Sequence, residues 1–125
     1  LTILPETVSQ AWEERKGPVI LTTVNEEGMP NAIYVGCVRK FSEDKLVVAD
    51  NRFNKTRANI LAGSKGSILF RAQDGRAYQV KGEIEYHTSG EIYDDMKSWL
   101  DDRFPGHAAA VLIVQEVYSG AEKLA

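Results

Sequence analysis

The sequence predicts an α+β fold, mainly β with flanking helices, organised as a six-stranded antiparallel barrel that is small and either closed or split. Three observations carry this expectation. Asn25-Glu26-Glu27-Gly28 and Asp74-Gly75 are tight turn signals between strand-like runs, which makes the sheet antiparallel. Tyr78, Val80, Gly82, Ile84 and Tyr86 alternate with Gln79, Lys81, Glu83, Glu85 and His87, a period of two with one wet face. The predicted elements follow in the order α-β-β-β-α-β-β-α-β, with no repeat or linker to divide residues 1–125 into more than one domain.

Leu4 to Lys16 reads as a short helix, since Leu4, Val8, Ala11 and Trp12 share a stripe and Pro5 suits a first turn. Gly17-Pro18 ends it. Strands are expected over Val19–Val24 and Asn31–Phe41, and after the Ser42-Glu43-Asp44 turn over Leu46–Ala49. Asn54 is a suitable cap for a helix that runs to Ala62, with Gly63 just beyond. Ser67–Ala72 and Tyr78–His87 form the next hairpin. Ser89 then caps a helix with Ile92, Met96, Trp99 and Leu100 on one face, stopped at Pro105-Gly106. The last strand, Ala109–Val114, is apolar on both faces and belongs in the sheet centre or at an interface. Lys123-Leu124-Ala125 is assigned no element.

At 125 residues, with 43% hydrophobic and 26% charged residues, the composition is that of a soluble domain that needs no disulfide or metal staple. Cys37 is the one cysteine, and His87 and His107 stand far apart, so multi-cysteine and helical two-histidine metal sites are excluded. No apolar run is long enough to span a bilayer and no signal peptide is recognisable, so the cytoplasm is the expected setting. A net charge of −3 argues against a general nucleic-acid or anionic-membrane binder.

Against that acidic background, Asn51 to Arg71 carries Arg52, Lys55, Arg57, Lys65 and Arg71 with no Asp or Glu. Such a stretch is either a specific anion site or a one-signed solvated face. Lys55-Thr56 opens the second predicted helix, where unpaired backbone N–H groups, a full positive charge and an orientable hydroxyl suit a phosphate. A solvated lysine beside a filler threonine is the competing reading. Phe70, Tyr78 and Tyr86 read as core, and Cys37 as a small hydrophobe with no adjacent base. Asp94-Asp95 and Asp101-Asp102 are sequence neighbours that diverge on a helix and form no catalytic dyad. No catalytic triad, P-loop or dinucleotide fingerprint is present, which directs attention to chemistry carried by a cofactor.

Several segments in order complete the reading: Gly17–Val24, Glu27–Asn31, Lys55–Ile60, Lys65–Phe70 and Val80–Ile84. With their spacing, the chain resembles the pyridoxamine 5′-phosphate oxidase-like, FMN-binding split-barrel family, above all its short bacterial FMN-binding proteins, over residues 4 to 118. The resemblance implies a homodimer with one FMN at each subunit boundary. It implies that Lys55, Thr56 and Arg52 hold the phosphate, that Asp50, Asn51 and Phe53 line the ribityl chain and ring, and that Ile33, Tyr34 and Val35 offer backbone groups along the isoalloxazine edge. Asn59 would tie the helix to the barrel, and Phe104 is the nearest aromatic for covering the flavin. The arginine/histidine pattern that ends the full-length oxidase is missing after Val114, which argues against a B6-vitamer oxidase.

The expectation is therefore a small FMN oxidoreductase or electron carrier with an unidentified redox partner or acceptor. A non-catalytic sensing module on the same fold is the alternative, and a deazaflavin or haem in the same cleft stays open. A nucleic-acid-binding barrel is weaker still, since only Phe53 and Phe70 interleave the basic stretch.

Overall fold

The computed structural model describes residues 1–125. The elements are α1 (Glu6–Glu13), β1 (Val19–Val24), β2 (Pro30–Val35), β3 (Val38–Ser42), β4 (Lys45–Asp50), α2 (Lys55–Leu61), β5 (Lys65–Arg71), β6 (Ala77–His87), α3 (Glu91–Trp99), β7 (Ala108–Ser119) and β8 (Glu122–Lys123). The strands form one antiparallel sheet in the order β2-β1-β5-β6-β7-β4-β3, with β8 paired to β7.

Eight strands replace the expected six. The run Asn31–Phe41 breaks at Gly36-Cys37 into β2 and β3, which lie at opposite edges of the sheet. A two-residue link between opposite edges requires the sheet to curl until they meet, which makes the half-closed barrel. β8 is the other addition. Gly120, at φ 58°, turns the chain back, and the Leu124 and Ala125 amides donate to the Val117 carbonyl. The residues assigned no element thus cover the end of β7.

The barrel interior is filled by alternate residues of the strands. Leu21, Ile68, Val80, Leu46, Val48, Ala110, Leu112 and Val114 meet there with Val8 and Trp12 of α1, which plugs one end. Trp12 stands edge-on to Phe70 at 5.2 Å, and Phe70 stacks on Tyr78 at 5.6 Å. The opposite faces of β4 and β7 present Val47, Ala49, Ala109 and Val111 to Met96 and Leu100, at and just beyond the C-terminal end of α3. That explains the doubly apolar last strand. It is interior to the sheet, and its second face is covered by a helix of its own chain. On β6, Gly82 sits at an irregularity in the β6–β7 pairing, where a Cβ would fall 1.7 Å from the Ile113 carbonyl oxygen, so the two backbones approach as only glycine permits.

The helix starts differ from expectation. α1 begins at Glu6, with Pro5 in the cap position, and Asn54 makes no side-chain capping bond to α2. Before α3 the cap position is Gly90 at φ 95° rather than Ser89, because a left-handed backbone there suits only glycine. No helix is long and apolar enough to cross a membrane.

Candidate functional site

β2 is an edge strand, paired to β1 on one side only, so alternate backbone N–H and C=O groups on its other side are unpaired. β4 ends nearby at Asp50, where the chain leaves the sheet and turns through Asn51-Arg52-Phe53 into α2. The α3–β7 loop brings Phe104 alongside. Together these segments enclose a cleft of about 470 Å³ lined by Ile33, Tyr34 and Val35, the Gly36-Cys37 link, Ala49, Asn51, Arg52, Phe53 and Phe104. Such a volume lies in the range of small-molecule sites, and so does the mostly apolar lining with a few polar groups.

Ile33, Tyr34, Val35, Asn51, Arg52 and Phe53, which the sequence reading groups, therefore share one cleft with Phe104. Lys55, Thr56 and Asp50 are not in its lining. Lys55 is exposed as the first residue of α2, two positions past Phe53, and neither it nor Arg52 forms an ion pair. Thr56 is buried, and its hydroxyl accepts a bond from the Asn31 side-chain amide at 3.2 Å, which ties α2 to β2. Asn59 donates to the Thr23 hydroxyl at 3.0 Å and ties the same helix to β1. Asn51 accepts the Gly106 N–H through Oδ1 at 3.0 Å, which fixes the orientation of its amide and leaves Nδ2 as a donor with no protein partner. Gly36, Cys37 and Ala49 are lining residues that sequence reasoning missed, because all three sit inside apolar strand-like runs.

Asp50 is fully buried behind the turn. Its carboxylate accepts from Arg57 Nε at 2.7 Å and Nη2 at 2.9 Å, from the Tyr86 hydroxyl at 2.5 Å and from the Phe53 amide at 3.0 Å. Burial alone would raise the Asp50 pKa; the bonds from Arg57, Tyr86 and Phe53 more than offset it and hold the carboxyl below the usual carboxylate range. The Tyr86 phenol is pushed up, first by burial and then by its bond to Asp50. Because the folded pKa of Asp50 is depressed, its contribution is complete above the unfolded carboxylate value of about 3.9 and is lost as pH falls through the folded value. Urea unfolding midpoints should therefore drop more steeply below about pH 4 for the wild type than for Asp50→Asn. Parallel pH profiles for the two would contradict this.

A wider cavity of about 600 Å³ opens on the outer face of the sheet, over Pro18, Ile20, Tyr34 and Leu69, with Tyr34 common to both cavities. Tyr34, Ile20 and Leu69 lie in register across β2, β1 and β5, and Tyr34 is 75% and Leu69 38% exposed. Lys16 and Arg71 also line this shallow, largely apolar cavity. No cluster of three or more His, Cys, Asp or Glu that could hold a metal ion exists.

A family model described as pyridoxamine 5′-phosphate oxidase matches residues 4–124. An uncharacterised protein of Methanocaldococcus jannaschii is 28% identical over 106 residues, which cover 81% of this chain and 71% of that protein. Among solved structures, HupZ of Group A Streptococcus superposes with a TM-score of 0.81 at 22% identity, over 94% of each chain. An FMN-binding protein of Syntrophomonas wolfei superposes with a TM-score of 0.73 at 20% identity, over 96% of each chain. At these identities the structural likeness establishes the split-barrel fold.

Proposed function

The chain belongs to the pyridoxamine 5′-phosphate oxidase family, and from that premise we propose that it is an FMN-binding flavoprotein acting as a small oxidoreductase or electron carrier. The observation that carries this reading is the cleft itself. It combines an edge strand with unpaired backbone groups, two phenylalanines, an amide with a free and oriented donor, and a cation at its mouth. These features fit the parts of FMN. The apolar walls suit the ring system, the β2 edge and Asn51 Nδ2 suit its polar rim, and Arg52 with Lys55 suits the phosphate. A protein named as FMN-binding shares the fold over nearly its whole length.

Bound FMN supplies the hydride and electron chemistry. Phe53 and Phe104 would line the site of the ring and help to exclude water from it, and Arg52 would supply charge at the phosphate end. Arg57 does not add to that charge, since Asp50 neutralises it. Thr56 supports the phosphate end by fixing α2 to β2.

The outer apolar row of Tyr34, Ile20 and Leu69 supports a second copy of the chain as its cover, with each cleft opening toward the subunit boundary through Tyr34. Sedimentation at micromolar concentration with FMN should give a species of twice 13.9 kDa. A flavin-loaded species of 13.9 kDa would contradict the dimer.

The function is tested by purifying the untagged chain and recording its absorbance. A flavin spectrum, with FMN released in stoichiometric amount on denaturation, is expected. A colourless protein that also fails to bind added FMN at micromolar concentration would overturn the reading.

A further inference from the structure

The two aromatic walls of the cleft come from separate segments, Phe53 from the β4–α2 turn and Phe104 from the α3–β7 loop. Neither segment belongs to a helix or strand that could fix it. Both are tied to the residue pair Asp50-Asn51, and the loop is held from α3 as well by Lys97, whose ammonium donates to the Pro105 carbonyl at 2.8 Å. The Asp50 carboxylate accepts the Phe53 N–H, the Asp50 carbonyl accepts the His107 N–H at 2.8 Å, and Asn51 Oδ1 accepts the Gly106 N–H. The α3–β7 loop is thus pinned just after Phe104, and the turn is pinned at Phe53 itself.

What holds Asp50 lies outside the cleft. Arg57 reaches it from α2 with two bonds, and Tyr86 reaches it from β6, with Arg57 Nε also 3.1 Å from the Tyr86 oxygen. A carboxylate that accepts four bonds inside a packed barrel has few alternative positions. Neither Asp50, Arg57 nor Tyr86 lines the cleft, so none of them is placed to touch a ligand in it.

We propose that Asp50, Tyr86 and Arg57 are positioning residues that set the spacing of the Phe53 and Phe104 walls, and so control affinity for the ring of a bound flavin independently of its phosphate. This rests on the flavin reading above. It differs from a contact role for Asp50, because the effect passes through two loops and reaches ring affinity alone.

The test uses Tyr86→Phe, which removes one hydroxyl and keeps the ring, and Arg57→Gln, at a half-exposed side chain, as a second variant should the first fold poorly. In flavin-free protein, amide exchange should accelerate about 10-fold at Phe53, whose acceptor is the carboxylate, the scale of one bond to a charged group. It should accelerate by a smaller factor at Gly106 and His107, whose acceptors are the Asn51 side chain and the Asp50 carbonyl. Exchange at Val48 and Leu112 in the barrel, which reports global stability, should accelerate by a smaller factor still. Affinities for riboflavin and FMN should fall by the same factor, leaving their ratio unchanged. Equal acceleration at the barrel amides, unaltered exchange at Gly106 and His107, or a changed riboflavin-to-FMN ratio would overturn the proposal. Wild-type binding with unaltered riboflavin affinity in both variants would overturn the positioning role alone. A wild type that binds neither flavin would overturn the flavin reading and the positioning role with it.

Discussion

Lys55→Ala should weaken FMN binding about 10- to 150-fold and leave riboflavin binding nearly unchanged. A hydrogen bond to a charged group is worth about 1.5–3 kcal/mol, and each 1.4 kcal/mol is about a factor of ten in affinity. Lys55 has the geometry for this role. It is the first residue of α2, is exposed, and has no carboxylate partner. The first turn of α2 contains no acidic residue and receives no side-chain cap. Lys45 is the control. It starts β4 at the far end of the strand from Asp50 and is already paired with Asp44 at 3.0 Å. Isothermal titration with FMN and riboflavin gives the four dissociation constants required for the two variants. Equal FMN affinity in Lys55→Ala and Lys45→Ala would remove the phosphate assignment.

Asp50→Ala should cost about 3 kcal/mol of stability, the low end for removing one partner of a buried ion pair. The low end applies because Arg57 is partly exposed and can turn toward water once its partner is gone. The buried Phe53 amide has no such escape and loses its acceptor, and the Tyr86 hydroxyl loses one too. For a domain of this size the loss corresponds to a fall in Tm of about 10 °C, measurable by calorimetry of the flavin-free protein. Asp44→Ala is the comparison. Asp44 sits in a tight turn with Ser42 and Lys45 as its partners, and a surface ion pair of that partly exposed kind is worth about 1 kcal/mol at most. Matching Tm losses in the two variants would show that the buried network does not stabilise the fold.

Much of the architecture is legible in the residues because burial imposes a period. β6 alternates faithfully since one face meets the barrel core and the other meets water, and its expected span of Tyr78–His87 is off by one residue. The hairpin at Asp74-Gly75 was visible because Gly75 must take φ 88°. The break at Gly36-Cys37 was not visible, since Val35 and Val38 on either side are both apolar and buried and the run reads as continuous. β8 is two residues long, too short to show any period. The doubly apolar β7 signals that two faces are covered without saying by what, and α3 proves to be the cover.

The site divides along the same line. All the residues around the cleft but Phe104 come from two short sequence stretches, so a resemblance could mark them together. The network behind them could not be read this way. Asp50 and Tyr86 are 36 positions apart, and Tyr86 looks like one more inward aromatic of an alternating strand until its hydroxyl is seen on the carboxylate. Arg57 likewise counts toward a basic patch in the sequence, whereas in the fold its charge is already matched.

The central claim is that a flavin occupies the cleft between the β2 edge and the Asn51–Phe53 turn. Amide chemical shifts of the chain recorded during titration with FMN test it most directly. The largest changes should fall on Ile33 to Cys37, Asn51 to Phe53, Lys55 and Phe104, with riboflavin reproducing all of them except those at Arg52 and Lys55. Changes centred instead on Ile20, Leu69 and Ala77, the outer cavity away from the turn, or no saturable change at all, would contradict the account.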